Sequence, residues 1–91
     1  MLLVNWTTEA ENDLIAIEDF IAQDNPIAAM NLSELLVETA EKLAYMPYMG
    51  RTGKVLQTRE LVAHRNYILV YQVTSHEILI LRVMHASKQY P

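Results

Sequence analysis

The sequence predicts an α+β fold in which a helical hairpin packs on one face of a small, mainly antiparallel sheet, in the order β-α-α-β-β-β. Three observations lead there. Apolar residues recur at helical spacing through the first half of the 91-residue chain. Both glycines, Gly50 and Gly53, fall in one short connection, and the apolar pattern beyond it follows strand period. A brief apolar run, residues 2–6, precedes the first helix and reads as a strand.

Thr8, with Glu11 three residues later, has the form of a capping box and is expected to be the first helix's N-cap. Ala10, Leu14, Ile17 and Ile21 then recur at steps of four, three and four, an amphipathic stripe. Glu11, Glu18 and Asp19 lie off that stripe and are expected to face solvent. Asn25-Pro26 stops this helix, because proline disfavours the helical conformation of the residue before it. Pro26 itself suits the first turn of a second helix, where its missing N–H costs nothing. That second helix carries Ala28, Leu32, Leu35, Leu36, Leu43 and Met46 and ends before Pro47. The two helices form an antiparallel hairpin.

Residues 47–53 make a tight, shaped connection, since glycine tolerates backbone conformations closed to other residues. Residues 58–63, 67–73 and 78–84, rich in Val, Ile, Leu and Tyr, are the remaining strands. Their connections are short enough for hairpins, so the three should form an antiparallel meander. Nothing repeats internally.

At this length a single domain spanning residues 1–91 is expected. A hydrophobic fraction of 52% supports a real core in a chain so small, and some of that surface is expected to remain for a partner. The absence of cysteine excludes disulfides and thiolate metal sites, which points to the cytoplasm. Residues 1–6 are too short an apolar run for a signal peptide, and no run is long enough to span a membrane, so no membrane partner is expected. The net charge of −4 is unevenly spread. Residues 1–47 carry nine acids and one base, Lys42, whereas residues 48–91 carry six bases and two acids. The first half is thus a strongly acidic pair of helices and the second a basic sheet, a hint that the sheet meets something anionic.

Few residues suggest chemistry. The histidines, His64, His76 and His85, show no metal-binding spacing, and no metal or cofactor is expected. His64 and His76 fall in predicted hairpin loops. His85 closes the last strand, where its near-neutral pKa class would suit proton transfer, although a strand-capping role is the more usual one for a lone histidine. The carboxylates show no catalytic pairing and read mostly as a solvated helix face. No phosphate loop or nucleophile elbow is present. Tyr67 and Tyr71 read as core or interface aromatics with a polar tip rather than as base-stacking platforms. By residue chemistry alone the chain has no obvious active site.

A resemblance carries further. Trp6-Thr-Thr-Glu-Ala-Glu-Asn-Asp-Leu14, Asn25-Pro26-Ile27-Ala28-Ala29 and Gly50-Arg51 occur in the order seen in ParE/RelE-type toxins of type II toxin–antitoxin systems. Thr58-Arg59-Glu60-Leu61-Val62 followed by Tyr67-Ile-Leu-Val-Tyr71 is similar to the family's central strands. Leu81-Arg82-Val83-Met84-His85-Ala86 with Lys88-Gln89-Tyr90-Pro91 resembles its closing motif. The resemblance implies a cognate antitoxin as partner, in a toxin–antitoxin hetero-oligomer. It also implies one of two targets. ParE-type members inhibit DNA gyrase without a hydrolytic site. RelE-type members are endoribonucleases that cut mRNA on the ribosome with sheet cations and a C-terminal tyrosine.

Several departures favour the ParE type. Arg59 stands near the first basic position of the RelE pattern, but Leu61 and Ile68 replace further sheet bases. The chain also stops directly after residues 88–90, without the RelE pattern's C-terminal helix, and its net charge suits an RNA-lined site poorly. One departure cuts the other way: Ser87 stands where the closing motif has another arginine, which points to a copy of reduced activity. The expectation is therefore a non-catalytic gyrase inhibitor, with Arg82, His85, Lys88 and Tyr90 as target-binding residues and no catalytic residue. The alternative is a RelE-type endoribonuclease acting through Arg59, Arg82, His85 and Tyr90, or a degenerate, non-toxic member that only binds an antitoxin.

Overall fold

A computed structural model describes residues 1–87. Expectations for Lys88 and Tyr90 therefore lie outside the described residues. The elements are β1 (Leu3–Trp6), α1 (Thr8–Ala22), α2 (Pro26–Lys42), β2 (Arg51–Thr52), β3 (Arg59–His64), β4 (Tyr67–Val73) and β5 (Glu77–His85). They form an α+β fold in which the helices pack on a five-stranded mixed sheet of order β1-β5-β4-β3-β2. β1 runs parallel to β5, while β2, β3, β4 and β5 pair antiparallel in sequence. The two-residue β2 was not predicted, because so short a strand has no period to read.

The start of α1 differs from expectation. Thr7, not Thr8, is the N-cap, and its Oγ1 accepts the Ala10 N–H at 3.1 Å. The reason is tertiary. The same hydroxyl donates to the Leu81 carbonyl at 2.9 Å, and the Thr7 N–H donates to the Ile80 carbonyl at 3.0 Å. One threonine thus caps the helix and ties it to β5, which a capping box on Thr8 would not do. At α2, Asn25 Oδ1 accepts the Ala28 N–H at 3.0 Å, with Pro26 in the first turn.

The core lies between helices and sheet. Ala10, Leu32, Leu36, Ala40 and Leu43 from the helical half meet Leu69, Tyr71, Ile78, Ile80 and Val83 from β4 and β5. Burying each of the larger side chains contributes roughly 1.5–3 kcal/mol. Leu35 and Met46, expected on the buried stripe, are instead largely exposed. α2 closes at Lys42, so Met46 lies beyond the helix.

Two further features position the candidate site. The Tyr71 hydroxyl accepts the Gly50 N–H at 2.9 Å and donates to the Pro47 carbonyl at 2.8 Å. It pins the connection between α2 and β2 to the centre of the sheet. A bulge in β5 sets Ile80 opposite Tyr71 and Arg82 opposite Val70, leaving Leu81 without a counterpart on β4. Such bulges re-aim the side chains beside them.

Candidate functional site

A groove of about 530 Å³ opens between α1 and the end of β5. Ala16, Ile17 and Phe20 form its helical wall, and Tyr67, Arg82, His85 and Ser87 are among the residues lining its sheet side. Phe20 is 70% exposed, so the groove offers a ready apolar contact.

Asp13 crosses from one wall to the other. Its Oδ2 accepts Arg82 Nε at 2.8 Å and its Oδ1 accepts Arg82 Nη2 at 3.0 Å, a two-point carboxylate–guanidinium pair. Oδ2 also accepts the Val83 N–H at 2.9 Å, just past the β5 bulge. Asp13 is therefore not part of a solvated helix face, contrary to the sequence reading of the helical carboxylates. A signal was present: Asp13 sits three residues after Ala10 and four before Ile17, on the flank of the buried stripe.

His85 ends β5, as expected. Its Nδ1 accepts the Ser87 N–H at 3.2 Å and lies 2.7 Å from Ser87 Oγ. A backbone donor at Nδ1 puts the ring proton of the neutral form on Nε2. Tyr67 meets His85 edge-on with ring centroids 5.3 Å apart. Tyr67 lies 6.0 Å from His64 on its other side. His64 is the last residue of β3 rather than a loop residue, and its Nδ1 accepts the Asn66 N–H. His76 does lie in the β4–β5 turn, beside Ser75 Oγ.

Arg59 is elsewhere. Its guanidinium stacks over the Tyr48 ring at 4.8 Å, and Nη1 donates to the Gly50 carbonyl at 2.8 Å. It lines a second pocket of about 420 Å³ at the Val73 end of β4, whereas His85 stands opposite Tyr67 at the other end. Arg59 itself pairs with Tyr71, four residues or roughly 14 Å along β4 from Tyr67, and stands one register step from Arg82, which pairs with Val70. Arg82 and His85 share one groove; Arg59 does not join them. Among the described residues no group of carboxylates and histidines is arranged to hold a metal ion, and no helix is long and apolar enough to cross a membrane.

Residues 4–90 match the family model of the ParE toxin of type II toxin–antitoxin systems, parDE. The chain belongs to the ParE toxin family. It is 38% identical over 88 residues to the toxin RelE2 of Caulobacter vibrioides, covering 97% of this chain and 99% of that protein. It is also 38% identical over 89 residues to Y4kP of Sinorhizobium fredii, covering 97% and 92% of the two chains. The solved chromosomal ParDE system of P. aeruginosa contains a chain with TM-score 0.84 and 29% identity, covering 93% of this chain and 96% of that one. Names from both branches thus occur around this ParE-family toxin. The shared ground is a type II toxin of ParE/RelE fold with an antitoxin as partner.

Proposed function

We propose that this toxin inhibits DNA gyrase and does not cleave RNA. The observation that carries this reading is the disposition of its cations. Metal-free phosphodiester cleavage needs guanidinium or ammonium groups converging on one phosphate, with a base for the attacking hydroxyl. Here Arg82, on β5, is engaged by the Asp13 carboxylate, while Arg59, on β3, is held on Tyr48 and Gly50, so the two guanidiniums are turned to different partners and line different pockets. A carboxylate inside the groove also repels a phosphate chain. A non-catalytic contact surface that includes Arg82 and His85, with Lys88 and Tyr90 following them in sequence, suits a protein target.

The alternative, a RelE-type ribonuclease, is favoured by one observation: Arg82 and His85 share the groove. A paired assay separates them. Purified toxin is added to a gyrase supercoiling reaction and, separately, to ribosomes translating a defined mRNA. Lost supercoiling with intact mRNA is expected. Codon-periodic cleavage of the mRNA would reverse the assignment. In cells, expression without antitoxin should cause filamentation and DNA-damage signalling.

A further inference from the structure

The connection between β2 and β3 forms an arm at the edge of the sheet. Residues 48–59 contain Arg51, Lys54 and Arg59 and no acid, in a protein of net charge −4. Arg51 is matched by Glu60 at 3.0 Å, but neither of the ion pairs among the described residues involves Lys54.

The tip is built rather than loose. The Gly53 N–H donates to the Thr58 carbonyl at 2.8 Å, and both the Thr58 N–H and its hydroxyl donate to the Val55 carbonyl, at 3.1 and 2.6 Å. These bonds hold Lys54, Val55, Leu56 and Gln57 outward. Leu56 is 86% exposed, matched among the large hydrophobic residues described only by Met1. Gln57, next to it, has φ of 67°, the left-handed conformation that side chains other than glycine and asparagine adopt at a cost. Strain of this kind persists where surrounding structure enforces it, and it concentrates at contact sites. The Gln57 side chain also borders the pocket with Tyr48 and Gln72 at the arm's base, and no hydrogen bond engages either glutamine amide.

Resting on the reading that the toxin's target is a protein, we infer that this arm is a second docking element, which inserts Leu56 into an apolar cleft rimmed by carboxylates on that target. Charge complementarity selects the rim: Lys54, with Arg59 behind it, faces a partner from a stretch that carries bases and no acid. Leu56 and Val55 select a protein over a nucleic acid, because an aliphatic side chain gains nothing from a phosphate. A second copy of this chain also offers acidic surface on its helices. Such arm-to-helix pairing would give a symmetric dimer, which a self-association measurement reads directly. The antitoxin is expected at the groove beside α1, roughly 20 Å along the sheet.

The test uses two variants of the full chain, Leu56→Asn and Lys54→Glu, neither of which touches the core or the groove. Each is measured for melting temperature, antitoxin affinity, inhibition of purified gyrase and binding of a labelled single-stranded DNA oligonucleotide. The expected result is that each variant needs about tenfold more protein for half-inhibition. Melting temperature and antitoxin affinity should stay unchanged, and wild type should not bind the oligonucleotide. Unchanged inhibition by both variants overturns the inference. So does loss with Lys54→Glu alone, accompanied by oligonucleotide binding of the wild type, which would make the partner a nucleic acid. Parallel loss of antitoxin affinity would assign the arm to the antitoxin, and wild-type self-association abolished by Leu56→Asn would assign it to a second copy. If wild type fails to inhibit gyrase, the gyrase reading falls by itself. The arm is then judged by growth arrest in cells, where unchanged potency of both variants overturns it.

Discussion

Asp13 and Arg82, 69 residues apart in sequence, meet in a two-point ion pair that joins the acidic helical half of the chain to its basic sheet half. The pair fixes α1 against the bulged end of β5 and occupies a guanidinium of the candidate site.

Removing it by Asp13→Ala should cost modest stability. Arg82 is nearly half exposed, so solvent screening keeps the ion pair itself to about 1 kcal/mol or less. Loss of the acceptor for the Val83 N–H adds roughly another 1 kcal/mol. At about 4–8 °C per kcal/mol for a chain of this size, thermal unfolding should shift down by several degrees. An unchanged melting temperature would mean that the latch carries no stability.

Tyr71→Phe should be destabilising by about 1–3 kcal/mol, because it leaves the buried Gly50 N–H without its acceptor. Burial holds the Tyr71 hydroxyl above its ordinary pKa, against the lowering effects of the Gly50 N–H and the Arg59 charge. A group whose pKa is raised on folding contributes stability that is complete below its unfolded pKa and lost as pH climbs through the folded one. Wild-type stability should therefore decline above about pH 10. The decline should be shallower in Tyr71→Phe, as read by chemical denaturation across alkaline pH.

Gly50→Ala should be more damaging than its size suggests. A Cβ there would stand 2.7 Å from both the Glu60 carbonyl oxygen and the Tyr71 hydroxyl. Relieving those contacts means moving the backbone of β3 or breaking the tyrosine's bonds, a cost of about 1–3 kcal/mol or more. Soluble yield and melting temperature report it.

At the proposed contact surface, no single residue should be indispensable. Arg82→Ala should lower toxicity only in part, since one half-exposed cation is worth about a kilocalorie per mole or less. Deletion of residues 86–91 should abolish toxicity while antitoxin pull-down persists. If His85→Ala alone removes toxicity from a folded, antitoxin-binding protein, catalysis replaces surface contact as the explanation.

Antitoxin binding should raise the melting temperature strongly, since a ligand that binds only the folded state stabilises it by about 2.7 kcal/mol at a hundred times its Kd. The exposed Phe20 beside the groove makes Phe20→Asp the variant that should blunt this shift. A full shift in Phe20→Asp would place the antitoxin elsewhere.

Most of the fold is legible in the sequence because its helices are amphipathic and its last three strands are long enough to show their period. Residues 58–63, 67–73 and 78–84 were predicted as strands, and β3, β4 and β5 occupy those places within a residue at each end. What escaped depends on distant partners. Thr7 displaces Thr8 as the cap because its hydroxyl finds a carbonyl on β5. β2 exists only as the partner of Arg59 and Glu60. Of the candidate site, Arg82 and His85 were legible as one motif because they stand on one strand. The Asp13 latch and the turning of Arg59 into a separate pocket depend on tertiary contacts, which composition does not encode.

The parallel pairing of β1 with β5 imposes an order on the molecule's birth. Leu3 to Trp6 find their sheet partners only at Glu77 to Ile80, so the first strand made waits for the last. A ribosome that halts before residue 77 releases a chain whose opening strand has nowhere to sit. Contacts spanning so much of the chain also close late, after the helices and the meander have formed. An antitoxin that binds only the folded state therefore has its complete partner only after the last strand has been made.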